Sequence, residues 1–178
     1  MNISTANKKS EPEPSEPESI VRFRQPDSVD GYALNQLIER CKPLDTNSVY
    51  CNLLQCTHFS ATGCAAEMDG QLVGFVSAYR LPQDQQTLFV WQVAVAETAR
   101  GQGLAARMIE SILERVECKD IRYIEATITP DNGASWGLFE SLARKFNTSL
   151  RRAPMFDRER HFAGQHDSEE SVRVGPID

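Results

Sequence analysis

From residue 63 onward, the spacing of apolar positions switches between two periods. GCAAEM (63–68) and QLVGFVSAYRL (71–81) are apolar runs on either side of Asp69-Gly70. An Asp-Gly pair supplies the positive backbone angles of a tight two-residue turn, so the runs predict an antiparallel hairpin. TLFVWQVAV (87–95) is almost wholly apolar, as expected of a central strand covered on both faces. The period then lengthens: Leu104, Met108, Ile109, Ile112, Leu113 and Val116 recur three and four apart, which predicts an amphipathic helix from Gly103 to about Cys118. IRYIEATIT (121–129) predicts a further strand, and NGASWGLFESLARKF (132–146) a further helix capped by Asn132. Strand, helix, strand and helix over 88–146 imply a right-handed crossover that joins two parallel strands.

Upstream the pattern is weaker. IVRFRQP (20–26) alternates apolar and basic residues and stops at a proline, which predicts a short strand. DSVDGYALNQLIERC (27–41) carries the cap candidates Asp27 and Ser28, then apolar positions at Tyr32, Leu34, Leu37, Ile38 and Cys41, which predict a helix. A second helix is expected over SVYCNLLQCTHF (48–59), after the polar joint LDTN (44–47), and SVRV (171–174) reads as a last strand. Residues 1–19 are rich in proline and glutamate and lack periodic apolar positions. Such a segment cannot bury enough surface to offset its ordering entropy, so a disordered tail is expected there. Residues 20–178 form one expected domain.

Composition changes this picture only by exclusion. A chain of 178 residues with 40% hydrophobic content suffices for one core. The net charge of −6 argues against a phosphate-backbone binder, so no nucleic-acid partner is expected. No apolar run has the length of a membrane span, and the N-terminus lacks the apolar centre of a signal peptide, so no membrane partner and a cytoplasmic location are expected. Five cysteines form no CxxC pair and no metal-ligand spacing. They read as reduced, mostly buried thiols, and no metal is expected.

The chemistry concentrates first at RGQGLA (100–105), where the apolar strand meets the amphipathic helix. The first N–H groups of a helix lack internal acceptors and converge on one spot. Gly101 and Gly103 would let a phosphate approach the backbone without meeting a Cβ, and Arg100 adds a fixed charge. An ordinary glycine-rich turn without a ligand is the competing reading. The turn has no GKS or GKT and lacks the third glycine of a dinucleotide fingerprint, so neither a nucleoside triphosphate nor NAD is implied.

The strand VWQVAV, the turn RGQGLA, and the helix, strand and Asn132-capped helix after it resemble the acyl-CoA-binding half of the GCN5-related N-acetyltransferase family. That resemblance implies an α/β (α+β) fold with a mixed central sheet, splayed parallel strands and flanking helices. It implies acetyl-CoA as co-substrate, with pyrophosphate on Arg100, Gly101, Gln102, Gly103, Leu104 and Ala105, the pantetheine arm on the main chain of Val93 and Val95, and a further contact from Asn132. PLDTNSVYCNLLQCTHF (43–59), ATITPDNGASWGLF (126–139) and HFAGQHDSEESVRVGPI (161–177) resemble members of this family that acetylate the γ-amine of L-2,4-diaminobutyrate on the way to ectoine. Competing readings are another small amine, or an acyl-CoA-binding module without catalysis. One departure stands out: where many members carry a thiolate-protonating tyrosine seven positions after the asparagine, this chain has Phe139.

An alkylammonium with a pKa near 10.4 must lose a proton before it can attack, a deficit of about 4 to 5 kcal/mol at neutral pH. Base candidates are Glu125, His166 and Glu169, with Asp45 a further acid in reach of such a role. A diamino acid also needs acids for its second ammonium and donors for its carboxylate. Asp45, Asn47 and Tyr50 lie within six positions at a helix entrance, although Asp45 could be a simple N-cap and Tyr50 a core residue. Trp91, two positions before Val93 and so expected on the same side, would floor the substrate pocket or fill the core. Glu125 could equally be a solvated strand residue. By composition HDSEE (166–170) is a solvated loop; the resemblance places His166 and Glu169 against the acceptor. A homodimer is the expected assembly, since closed symmetric pairs are commonest.

Overall fold

The computed structural model describes residues 20–177, so the expected tail at 1–19 lies outside the described residues. Fifteen short elements contain seven strands and five α-helices: β1 (Arg22–Arg24), α1 (Asp30–Arg40), α2 (Val49–Thr57), β2 (Cys64–Met68), β3 (Gln71–Leu81), β4 (Asp84–Val95), α3 (Leu104–Leu113), β5 (Tyr123–Ile128), α4 (Gly133–Lys145), β6 (Leu150–Phe156), α5 (Arg158–Phe162) and β7 (Glu169–Val174), with three 3-10 turns between them. The strands make one mixed sheet in the order β1-β2-β3-β4-β5-β7-β6. β4 and β5 are parallel, and the other pairs are antiparallel.

The hairpin forms where Asp69-Gly70 predicts it, with φ of 52° and 75° at the two turn residues. The sheet has two apolar layers. On one face α3 and α4 bury Leu104, Met108, Ile109, Ile112, Phe139 and Leu142 against Val76, Leu88, Ile124 and Val172. On the other, α1 lays Leu34, Leu37 and Ile38 over Ala65, Phe75 and Ala94. Tyr32, expected on the apolar stripe of α1, is instead exposed. The α1 N-cap is Val29 without a side-chain bond, because Asp27 turns back onto the Val29 N–H and Asp30 accepts from the Asp27 N–H.

Three features differ from the periodicity. α3 stops at Leu113, and Val116 is exposed. Arg115 leaves the helix in an extended conformation and donates to the carbonyls of Ser60, Ala61 and Gly63, which ties the chain to the turn before β2. β6 and α5 have no counterpart in the pattern, because β6 is an edge strand whose residues are mostly exposed. Within β4, Ser77 pairs with Gln92 and Ala78 with Val90, so Trp91 is an extra residue in the ladder, a β-bulge.

That bulge reverses the inside-outside parity of β4 halfway along. Leu88 and Val90 before it, and Val93 and Val95 after it, all pack towards α3 and α4. Without it, Gln92 would enter that apolar layer and Val93 would leave it. The bulge also corrects the expectation for Trp91: it does not share a side with Val93 but sits edge-on to Tyr79, beside Phe89.

Candidate active site

β4 and β5 pair at only three positions, Thr87–Tyr123, Leu88–Ile124 and Phe89–Glu125. Beyond Phe89 and Glu125 the two parallel strands separate. A cleft of about 1700 Å³ opens between them, with Val90, Val93 and Val95 on one wall and Ala126, Thr127 and Ile128 on the other. The main chain of β4 past the fork has no β5 partner, so its groups on that side are available to an extended ligand arm.

At one end the cleft meets RGQGLA. Gly101 and Gly103 have φ of 76° and 67°, left-handed values that a residue with a Cβ adopts only under strain. A Cβ built at either position meets no heavy atom within 4 Å, so the cradle is open. A hollow of about 270 Å³ lies there, lined by Arg100, Gly101, Gly103, Leu104 and Ala105, in front of the first N–H groups of α3. These are the features a pyrophosphate requires, and the site therefore fits coenzyme A. The Arg100 Nε donates to the Val95 carbonyl at 3.2 Å, which keeps the guanidinium beside the turn. Gln102 is exposed between the two glycines. Asn132 caps α4 by accepting from the Ser135 N–H at 3.1 Å and also lines the cleft. Phe139 is buried at the cleft wall and brings no hydroxyl.

The other end gathers polar groups from distant segments. Asp45 and Asn47 reach it from the loop between α1 and α2, Trp91 from the bulge, and His166 and Glu169 from the segment before β7. Asp45 is not a helix cap, since Ser48 caps α2 by accepting from the Cys51 N–H. Among the described residues nothing hydrogen-bonds or pairs with the Asp45 carboxylate; only its main-chain oxygen is bonded, by Gln92. The His166 Nδ1 lies 2.7 Å from the Asp167 carbonyl. A carbonyl only accepts, so Nδ1 bears a proton, and Nε2 lies 4.0 Å from a Glu169 carboxylate oxygen.

Two candidates do not join them. Glu125 faces the fork but is held by Arg173 at 2.8 Å, which also binds Asp84 and lies over the Tyr123 ring. It is not among the residues that line the cleft. Its carboxylate is thus engaged by Arg173 and apart from the other candidates at the cleft. Tyr50 is 70% exposed near the start of α2 and also lies off the cleft.

Other cleft residues escape the sequence reading. His161 accepts the Asp157 N–H at Nδ1, so its neutral ring presents Nε2–H, and Arg158 beside it pairs with Asp167. Arg158 stands in the charged run DRER (157–160), and His161 directly follows it, where it reads as a plain helix-end residue. Gln92 is the other omission; a lone amide inside an apolar strand was its signal. The five cysteines are free thiols, and burial pushes that of Cys56 up to about 12.

The family model described as the acetyltransferase (GNAT) family matches residues 32–143. The chain is 57% identical to L-2,4-diaminobutyric acid acetyltransferase of Methylotuvimicrobium alcaliphilum, an alignment covering 89% of this chain and 92% of that protein. It is 47% identical to the protein of the same name in Vibrio cholerae, over 85% of this chain and 88% of the other. Among solved structures it resembles diaminobutyrate acetyltransferase EctA of Paenibacillus lautus in complex with L-2,4-diaminobutyric acid and coenzyme A: TM-score 0.84, 37% identity, 89% of this chain and 96% of that one. The ribosomal-protein-S18-alanine N-acetyltransferase of Escherichia coli shares the fold at a TM-score of 0.66 and 13% identity. With the fork between β4 and β5 and the glycine turn at one end of it, these matches establish that the chain belongs to the acetyltransferase (GNAT) family.

Proposed function

We propose that this chain transfers the acetyl group of acetyl-CoA to the γ-amine of L-2,4-diaminobutyrate, forming the N4-acetyl compound used to make ectoine. The observation that carries the reading is the likeness in sequence and fold to the Paenibacillus enzyme solved with both this diamino acid and coenzyme A. The cleft is consistent with it. An open glycine turn lies at one end, and two acids with an imidazole lie at the other.

The residue roles follow from their chemistry. Asp45, unpaired at the cleft, receives the α-ammonium, with Asn47 and Trp91 around it. The His166 Nε2 takes the γ-ammonium proton, and Glu169 stabilises the imidazolium that results. The freed amine attacks the thioester carbon, the C–N bond forms, and the C–S bond breaks. The thiolate, with an ordinary pKa near 8.5, leaves without a tyrosine at position 139 and regains its proton from solvent. Gly101, Gly103 and Arg100 hold the pyrophosphate while Val93 and Val95 align the pantetheine arm, so that most of the rate gain comes from placement.

The enzyme works in the cytoplasm, where acetyl-CoA is drawn on, as a homodimer serving the response to osmotic stress. Nucleic acid and membrane have no part in this reading. The described residues include no helix long and apolar enough to cross a membrane.

The test is thiol release from acetyl-CoA by purified protein with L-2,4-diaminobutyrate, 1,3-diaminopropane or lysine, followed by NMR of the product. Turnover of the diamino acid well above the other two, with acetyl on the γ-nitrogen, is expected. Release no faster than buffer with every amine would establish an acyl-CoA-binding module instead.

A further inference from the structure

The loop that carries Asp45 is tied to the interior by a chain of amides. The Gln92 Nε2 donates to the Asp45 carbonyl at 3.0 Å, and its Oε1 accepts from the Asn47 Nδ2 at 3.0 Å. Asn35, buried in α1, spends both donors of its Nδ2 inward and outward: one on the Asn47 carbonyl at 2.8 Å, the other on the Asn52 Oδ1 at 3.0 Å. Asn52, fully buried in α2, donates in turn to the Gln55 Oε1. Asn47 is thus gripped at both its carbonyl and its side chain, and Asp45 at its carbonyl, while the Asp45 carboxylate is left bare.

We infer that Gln92 and Asn35 are positioning residues for diamino-acid selection: they fix the 45–47 loop so that the Asp45 carboxylate is held ready at the cleft. The inference rests on Asp45 acting as the acid for the α-ammonium. Three amides inside an apolar layer cost free energy unless satisfied, and an apolar helix pair would pack there more cheaply. At its inner end the polar chain stops in the core, where the Gln55 Nε2 is buried without a partner, but its outer end leaves the core. It runs from α2 through α1 to the loop at the cleft, and the bulge at Trp91 is what turns Gln92 out of the α3 layer to meet it. A carboxylate on an untethered loop would lose ordering entropy each time the substrate bound. Pre-organisation removes that cost from the diamino acid and leaves acetyl-CoA, bound at the far end of the cleft, unaffected.

The experiment is a double-mutant cycle read by steady-state kinetics with both substrates. Gln92→Leu is expected to raise the KM for the diamino acid about fivefold to tenfold, the worth of one or two such hydrogen bonds, with kcat and the KM for acetyl-CoA little changed. In an Asp45→Asn background the same change is expected to shift that KM by less than about twofold, because its effect passes through Asp45. Gln92→Glu keeps the acceptor for Asn47 but faces the Asp45 carbonyl with an oxygen, so it should show the same pattern if the leucine variant does not fold. Equal fold-changes in both backgrounds, or a parallel rise in both KM values, would overturn the inference and leave the chain as a helix-packing device. If the wild-type protein turns over another amine instead, the diaminobutyrate reading fails separately, and the cycle on that amine still decides whether Gln92 works through Asp45.

Discussion

At the scale of single residues, the site depends on which polar groups the structure leaves uncommitted. Asp45, Glu125, His166 and Glu169 look alike in the sequence as carriers of a proton or a charge. Only neighbours sort them: Arg173 occupies Glu125, the Asp167 carbonyl fixes the His166 tautomer, and Ser48 takes the cap that Asp45 could have filled. Asp45→Asn should raise the KM for L-2,4-diaminobutyrate about tenfold or more, as loss of a charged hydrogen bond of about 1.5 to 3 kcal/mol implies. 1,3-Diaminopropane, whose second ammonium is less tightly placed, should suffer less; equal losses on both substrates would remove Asp45 as the α-ammonium anchor. His166→Gln should lower kcat about 100-fold, within the usual range for a lost general base, and leave the KM for acetyl-CoA near the wild-type value. An unchanged kcat over the neutral range would transfer the base role to Glu169.

At the scale of elements, local signals were legible where a turn chemistry or a sustained period sits within a few residues. The hairpin at Asp69-Gly70, the cap at Asn132 and the glycine turn before α3 are of this kind. Gly103→Val tests the turn: φ of 67° and an open cradle mean that a branched side chain adds strain and intrudes where phosphate oxygens approach. The KM for acetyl-CoA should rise about tenfold or more against little change for the amine, since several N–H donors act on the anion together. A folded variant with wild-type cofactor affinity would refute the anion site. β6 and α5 were not legible because exposed edge elements carry no apolar alternation, and with them went Arg158 and His161.

At the scale of the molecule, β1, α1 and β2 are clamped by one ion cluster. Arg24 lies 2.7 Å from Asp30 and 2.9 Å from Glu67. Burial pushes the Asp30 carboxyl up, but bonds from Arg24 and the Asp27 N–H outweigh it and leave it below the usual carboxylate value. The bond from Arg24 likewise holds Glu67 low. Both groups are depressed in the folded state, so their stabilisation is present above the unfolded values of about 3.9 and 4.3 and is lost as pH falls through the folded ones. Thermal melts should therefore show the wild-type Tm dropping steeply below about pH 4. The Asp30→Asn, Glu67→Gln double variant should be less stable at neutral pH, with a shallower acid limb; an unchanged limb would place the acid sensitivity elsewhere.

By itself the sequence determined what is decided over short spans: the DG hairpin, the apolar central strand, the crossover after RGQGLA, the order of strands and helices from 88 to 146, and through these the family. Interactions within a turn or a helical period are properties of neighbouring residues, so they survive without knowledge of the rest of the chain. Tertiary structure decided what depends on register and on partners far along the chain. The bulge at Trp91 adds one residue that no pattern within LFVWQVAV marks, and it alone sets which side Gln92 faces. Glu125 meets Arg173 across 48 positions, and Gln92 meets Asp45 across 47. Such pairings are chosen by how the sheet stacks its strands and where β4 and β5 part. Asp45, Asn47, Trp91, His166 and Glu169 were therefore nameable as candidates in advance, whereas the part that Gln92, Arg158 and His161 take in the cleft, and its geometry, were not.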